Sequence, residues 1–187
     1  MTSQTIEVAW QQLENWLAEN APKVAAGLNP GATEEELLAC EKVLEIALPN
    51  DFKDFYRRHN GQSADSPWLF DGVEFLSLHR IQDEWLVWKD LLDGGDFEDS
   101  YSEPPAEVKN DWWNKHWIPF TYNGGGDHLC IDLDPTEAGT KGQVIEMWHD
   151  WEKRPVLNTS FKQWFCKFVE DVLTGKLAYE EEDSCSR

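Results

Sequence analysis

Residues 117–133 read Trp-Ile-Pro-Phe-Thr-Tyr-Asn-Gly-Gly-Gly-Asp-His-Leu-Cys-Ile-Asp-Leu, and this stretch decides the fold class. Apolar residues favour a strand before the glycines, and Leu129, Ile131 and Leu133 alternate with smaller or polar residues after them, which is the period of a strand with one buried face. A third strand is predicted from Gln143 to His149. Three strands joined by tight turns predict a hairpin-linked sheet.

Helical spacing of apolar residues dominates the chain on both sides of this sheet. It predicts four helices before the sheet, over residues 4–20, 33–47, 49–60 and 81–92, and a final helix that Ser160 begins and Gly175 ends. Residues 67–78 predict a short hairpin around Asp71-Gly72. Because helices come first, then strands, then a helix, the order indicates an α+β domain with helices packed against an antiparallel or mixed sheet. A doubly wound parallel sheet would need strands that alternate with helices.

Size, charge and termini limit the function further. The 187 residues favour one domain, residues 1–178, followed by a flexible acidic tail over 179–187. The formal net charge of -20 repels nucleic acid and anionic membranes and attracts basic molecules, although it also serves solubility alone. The N-terminus lacks a signal-peptide pattern, and no apolar run is long enough to span a bilayer, so we expect a cytoplasmic protein.

An acidic segment before the sheet is the first candidate for partner binding. Residues 93–107 carry six acidic and no basic residues, and they predict an exposed loop. The tryptophans at 112, 113 and 117 follow it, and partial exposure would make them aromatic anchors. The candidate contact residues are Asp93, Asp96, Glu98, Asp99, Tyr101, Glu103, Trp112 and Trp113.

Two groups of motifs follow one another along the chain. One is the stretch over residues 48–61, Leu-Pro-Asn-Asp-Phe-Lys-Asp-Phe-Tyr-Arg-Arg-His-Asn-Gly, and the other runs from Trp117 through the glycine turn to Ile145. In this order they resemble the SUKH superfamily, and the resemblance covers nearly the whole chain. The motif residues that we interpret as structural are Leu48, Pro49, Asp51, Gly61, Gly124, Gly125, Gly126, Asp127 and Asp132.

The resemblance implies protein binding rather than catalysis. Bacterial members are immunity proteins that neutralise toxins, often nucleases, and fungal members coordinate cell-wall assembly and signalling. We therefore expect a protein partner, in the first instance a basic toxin domain, with a fungal-type regulatory scaffold as the alternative. The sequence does not predict an oligomeric state.

Other chemistry fits the sequence poorly. Asp132 to Thr136 match the DxDxT pattern of haloacid-dehalogenase phosphotransferases, but too few residues follow to complete that doubly wound domain. A calcium site formed by Asp127, Asp132 and Asp134 would lack the EF-hand spacing. The four cysteines lie far apart without a CxxC spacing. We expect no metal, no cofactor and no enzymatic activity.

Overall fold

The computed structural model describes residues 4–179 of the chain. Its helices are α1 (Ile6–Asn20), α2 (Pro22–Gly27), α3 (Glu34–Leu44), α4 (Asn50–Arg58), α5 (Leu78–Gly94) and α6 (Phe161–Leu173). Its strands are β1 (Glu74–Phe75), β2 (Trp117–Pro119), β3 (Thr121–Tyr122), β4 (His128–Asp132), β5 (Gln143–Met147) and β6 (Val156–Asn158). The predicted α+β class is confirmed.

The strands form two antiparallel sheets. The larger has the order β2-β4-β5-β6, and β1 pairs with β3 in the smaller. Trp117 pairs with Asp132 at one end of β4, and His128 pairs with Met147 at the other. The two ends of β4 therefore present different groups of residues, with the glycine turn at the His128 end.

Helix α4 supplies the aromatic centre of the core. Phe52, Phe55 and Tyr56 are fully buried, and the Phe55 ring lies 4.9 Å from that of Trp10 and 4.8 Å from that of Phe165. These contacts join α4 to α1 and α6. The indole of Trp10 also donates to the Phe55 carbonyl at 3.2 Å, which satisfies its polar atom.

Side-chain caps set the starts of several helices. A capping box begins α3: the Thr33 hydroxyl accepts from the Glu36 N–H at 3.2 Å, and the Glu36 carboxylate accepts from the Thr33 N–H at 2.8 Å. Ser160 caps α6 by accepting from the Gln163 N–H, but the Gln163 side chain accepts from the Thr159 hydroxyl instead of completing a box.

The predicted hairpin around Asp71-Gly72 is present only as its turn, which the Val73 N–H closes by donating to the Phe70 carbonyl at 3.2 Å. Phe70 and Val73 form only an isolated bridge, and Glu74 and Phe75 pair with Tyr122 and Thr121. The sequence reasoning also missed the short helix α2 and the edge strand β6.

One hydrophobic cluster runs through the described residues, from Ile6 to Val172. Tyr179 packs against this body, with its ring 5.7 Å from that of Trp16 and its hydroxyl donating to the Leu69 carbonyl at 2.5 Å. The rest of the predicted tail, residues 180–187, lies outside the described residues.

Candidate functional site

A cleft of about 310 Å³ opens between the segment after α5 and the connection from β5 to β6. Its lining residues are Asp99, Ser100, Tyr101, Glu103, Trp112 and Glu152. Four of these belong to the predicted partner-binding set, and Ser100 and Glu152 do not. The sequence reasoning missed Glu152 because it lies about 50 positions from the acidic segment along the chain.

The acidic wall of the cleft is exposed but firmly attached. Gly95 ends α5 in the left-handed conformation, and the Phe97 ring lies 5.8 Å from that of Trp88. Ser102 is buried and donates to the Asn110 side chain at 3.0 Å. The Glu103 N–H donates to the Glu152 carbonyl at 2.8 Å, which joins the two walls. The predicted loop is therefore a fixed surface.

Arg154 stabilises the opposite wall of the cleft through buried hydrogen bonds. Its side chain is fully buried, and its guanidinium donates to the carbonyls of Trp112 and Lys153, both at 2.7 Å, and to that of Trp151. The guanidinium carbon also lies 5.1 Å from the centre of the Trp112 ring. Burial lowers the pKa of Arg154 to about 10. The sequence reasoning did not single out this residue, because nothing local marks an arginine as buried.

In the described residues the cleft carboxylates form no close salt bridge, although the charge of the buried Arg154 guanidinium interacts with that of Glu152. No ion pair within the described residues joins Asp99, Glu103 or Glu152 to a lysine or arginine. Asp93 differs, because it pairs with Lys89 on α5, which lies outside the acidic segment. Asp93, Asp96 and Glu98 are exposed but do not line the cleft.

The aromatic residues at the cleft separate into two groups. Trp113 and Trp117 are 2% and 0% exposed and belong to the core, so the expectation that they form an exposed cluster with Trp112 is wrong. Trp112 is half-buried and lines the cleft, and Tyr101 is 72% exposed. Trp148, which the sequence reasoning left unassigned, is 42% exposed and packs on Trp151 beside the second wall.

The glycine turn makes contacts that fix the backbone. The Asp127 carboxylate accepts from the Asn123 amide at 2.6 Å and from both the backbone N–H and the ring Nδ1 of His149, each at 2.9 Å. Burial opposes ionisation of Asp127, but these hydrogen bonds outweigh it and lower its pKa. Gly124 and Gly126 have φ of 84° and 105°. Gly125 does not have a positive φ, so the backbone conformation does not require glycine at that position.

The motif residues over 48–61 hold helices in place. Pro49 precedes α4, and Asp51 accepts from the Lys162 N–H at 3.3 Å, which links α4 to the start of α6. Leu48 is buried. Gly61 has φ of 72°, and a Cβ there would lie 2.3 Å from the Ser77 nitrogen. These contacts give a structural reason for each residue.

Asp132 lies in a buried hydrogen-bond network. It is 0% exposed, and its carboxylate accepts from the Gln143 amide and the Asp134 N–H, both at 2.9 Å. Burial raises the pKa of Asp132. Asp134 instead pairs with Lys109 at 2.6 Å. Asp127 lies beyond the other end of β4, about 16 Å away at the usual rise per strand residue, so these three aspartates do not form one calcium site.

One group within residues 4–179 has the spacing of metal ligands. Side-chain atoms of Asp127, His149 and Asp150 all lie within 4.8 Å of one another. This group was not anticipated from the sequence. The Asp127 oxygen closest to His149 already accepts two hydrogen bonds from that residue, so the arrangement serves the turn.

These features define a class of protein: an α+β domain whose motif residues maintain the fold and whose acidic and aromatic side chains meet at a separate surface cleft. The chain belongs to the SMI1/KNR4 family (SUKH-1), whose model matches residues 31–167. The suspected SUKH resemblance is thereby confirmed.

Curated relatives align with nearly the whole chain. They include the cell wall biosynthesis/cell cycle regulator smi1 of Schizosaccharomyces pombe, 26% identical over 97% of this chain and 39% of that protein. The cell wall assembly regulator SMI1 of Saccharomyces cerevisiae is 23% identical over 90% of this chain and 40% of that protein. Human F-box only protein 3 is 26% identical over 91% of this chain and 35% of that protein. The chain thus spans about two-fifths of the length of these relatives.

The fungal relatives are named as regulators rather than as enzymes. In the part of the chain that the structure describes, no helix is both long and apolar enough to cross a membrane.

Proposed function

We propose that this chain is a non-catalytic regulatory domain of the cell-wall assembly regulator type, which acts in the cytoplasm by binding a protein partner through the cleft. Residues 1–178 would form the binding domain. The observation that carries the proposal is the cleft itself, where unpaired carboxylates surround exposed aromatic surface on a fixed backbone.

The cleft suits binding better than chemistry. Its six lining residues include no histidine, cysteine or lysine, and no hydrogen bond in the described residues joins the Ser100 hydroxyl to a carboxylate that could act as its base. Aromatic side chains with a polar rim are typical of the centre of a protein interface. The two carboxylates that invited an enzymatic interpretation, Asp132 and Asp134, are held by Gln143 and Lys109.

The relatives favour the regulatory interpretation over toxin neutralisation. Three of those from fungi are named as regulators of cell-wall biosynthesis, cell-wall assembly or glucan synthesis. The chain spans only about two-fifths of the length of these relatives. The portion that it shares with them supports the proposal of a binding domain, and the process that this domain regulates is proposed as well.

Neutralisation of a basic toxin domain is the second candidate. The net charge of -20 favours it, since such a field speeds encounter with a basic partner and repels nucleic acid. Both candidates use the same cleft, and the identity of the captured partner separates them: a nuclease or another toxin domain supports neutralisation, whereas a signalling or cell-wall protein supports regulation.

Affinity capture from the native organism followed by mass spectrometry tests the proposal. Three baits would be compared: the unaltered chain, the cleft variant Glu103→Gln/Glu152→Gln, and the control variant Glu19→Gln/Glu170→Gln. Both variants lose two charges, but Glu19 and Glu170 are exposed residues of α1 and α6 that do not line the cleft. We expect a partner that the control retains and the cleft variant loses. Equal recovery by all three baits would contradict the proposed site.

A further inference from the structure

We infer that the cleft receives an arginine side chain of the partner polypeptide. The inference rests on the proposed function and specifies the chemistry of the contact. It depends on the size of the cleft, on the spacing of its charges and on the aromatic surface beside them.

The size of the cleft fits a single side chain. Its volume of about 310 Å³ is at the lower end of the roughly 300–1,000 Å³ typical of small-molecule pockets. A protruding residue of a protein partner needs less room than a cofactor. Asp99, Glu103 and Glu152 would repel an anionic residue and attract a cationic one.

The spacing of the carboxylates excludes a small cation shared by all three. Among residues 4–179, the only group of three or more ligating side chains with atoms within 4.8 Å is Asp127, His149 and Asp150, which lies outside the cleft lining. Asp99, Glu103 and Glu152 are therefore too far apart to bind one metal ion together. A guanidinium is broad and carries five N–H donors, so it can contact carboxylates on both walls.

The aromatic surface favours arginine over lysine. Tyr101 is 72% exposed at the cleft, and the half-buried Trp112 also lines it. A planar guanidinium stacks on aromatic rings and forms forked hydrogen bonds with carboxylates, whereas an ammonium acts as a compact, strongly hydrated charge. Within this protein, Arg154 already makes a contact of this kind, with its guanidinium carbon 5.1 Å from the Trp112 ring centre.

Peptide titration of the isotope-labelled full chain tests the inference by NMR. The probes are three acetylated and amidated tripeptides, Gly-X-Gly, in which X is arginine, lysine or citrulline, the neutral isostere of arginine. Binding is followed at the Trp112 indole and at the backbone amides of Tyr101 and Glu103. We expect saturable shifts with a Kd on the order of 1–10 mM for arginine, because one side chain offers few contacts. Binding should be at least about threefold weaker for lysine and undetectable for citrulline.

Two variants locate the binding. Glu152→Gln should weaken the arginine peptide roughly three- to tenfold, the range expected for one partly solvated charged hydrogen bond. Glu19→Gln should leave the affinity unchanged, because that residue does not line the cleft. A circular dichroism melt of both variants confirms that each is folded.

Several outcomes would overturn the inference. Equal affinity for arginine and citrulline would mean that charge plays no part, and equal affinity for arginine and lysine would remove the role of the planar group. Shifts confined to residues outside the cleft, or no shift at tens of millimolar peptide, would also refute it. If partner capture still depends on Glu103 and Glu152 in such a case, the proposed function stands and only the arginine contact fails.

Discussion

Gly126 offers a direct test of whether the glycine turn is structural, because its neighbour Gly125 is a matched control. The Gly126 backbone has φ of 105°, a conformation that residues with a Cβ rarely adopt, whereas Gly125 lies outside the positive range. A Cβ on Gly126 would also lie 3.3 Å from the His149 ring, and the hydrogen bonds to Asp127 hold that ring in place. Gly126→Ala should therefore strain the turn, and Gly125→Ala should not.

The structure sets the expected magnitudes. A non-glycine residue in a sparsely populated backbone region costs about 1–3 kcal/mol. Loss of backbone freedom in the unfolded chain offsets about 0.4–1 kcal/mol of that cost for any glycine-to-alanine change. The difference between these ranges is a loss of about 0–2.6 kcal/mol, so Gly126→Ala should lower the free energy of unfolding by a central value of about 1.3 kcal/mol. Gly125→Ala should leave it unchanged or raise it by up to about 1 kcal/mol, since its nearest contact would be 3.4 Å from the Asn123 side chain.

Urea unfolding followed by tryptophan fluorescence measures both variants, and the slope of the transition shows whether they share one unfolding mechanism. Equal midpoints for the two variants would refute the assignment of strain to Gly126. If Gly125→Ala proves less stable than Gly126→Ala, the strain lies at Gly125 and the assignment is wrong.

Three further predictions concern a buried histidine, the buried arginine and the acidic segment. Burial lowers the pKa of His128, so the unfolded chain binds more protons than the folded one between that pKa and about 6.5. The free energy of unfolding should therefore fall on acidification in this range, by up to about 1.4 kcal/mol per pH unit. A His128→Gln variant whose urea midpoint falls as steeply as that of the unaltered chain between pH 7 and pH 5.5 would contradict this. Arg154→Met leaves three carbonyls without a donor and should cost about 2 kcal/mol. That variant should also shift the Trp112 indole NMR signal, and an unchanged melting temperature and signal would show that Arg154 does not hold the cleft. Converting the three acidic residues of segment 96–99 to amides should slow association with the partner and flatten the salt dependence of the association rate in stopped-flow experiments, with stability nearly unchanged. An association rate that responds neither to salt nor to this substitution would mean that the segment serves solubility alone.

Local sequence patterns predicted much of the fold because they reflect local physics. Thr33 and Glu36 meet across a single helical turn, and the alternation from Leu129 to Leu133 depends only on the pleat of one strand. The partner of β1 could not be predicted in this way. Glu74 pairs with Tyr122, which is 48 positions away, while the nearby Asp71-Gly72 sequence favours a local turn. The short α2 was missed because we interpreted Pro22 as a helix breaker, although proline is favoured in the first turn of a helix.

The sequence predicted only those site residues whose exposure to water follows from the charge of their segment. Asp99, Tyr101 and Glu103 lie in a polar segment that must face water, and they do line the cleft. Trp112 and Trp113 are adjacent in sequence, yet one lines the cleft and the other is buried, since direction depends on the backbone. Glu152 and Arg154 reach the site only through the long connection between β5 and β6.

The affinity of the captured partner for charge-reversed variants tests the central claim, that the cleft is the binding site. Isothermal titration calorimetry would compare the unaltered chain with Glu152→Lys and with Glu19→Lys, which change the net charge equally. Because only Glu152 lines the cleft, the account predicts that Glu152→Lys weakens binding by at least about tenfold, the equivalent of 1.4 kcal/mol, and that Glu19→Lys changes it by less than about twofold, as expected for a charge outside the interface. Equal losses in the two variants, or none in either, would contradict the claim and place recognition elsewhere on the domain.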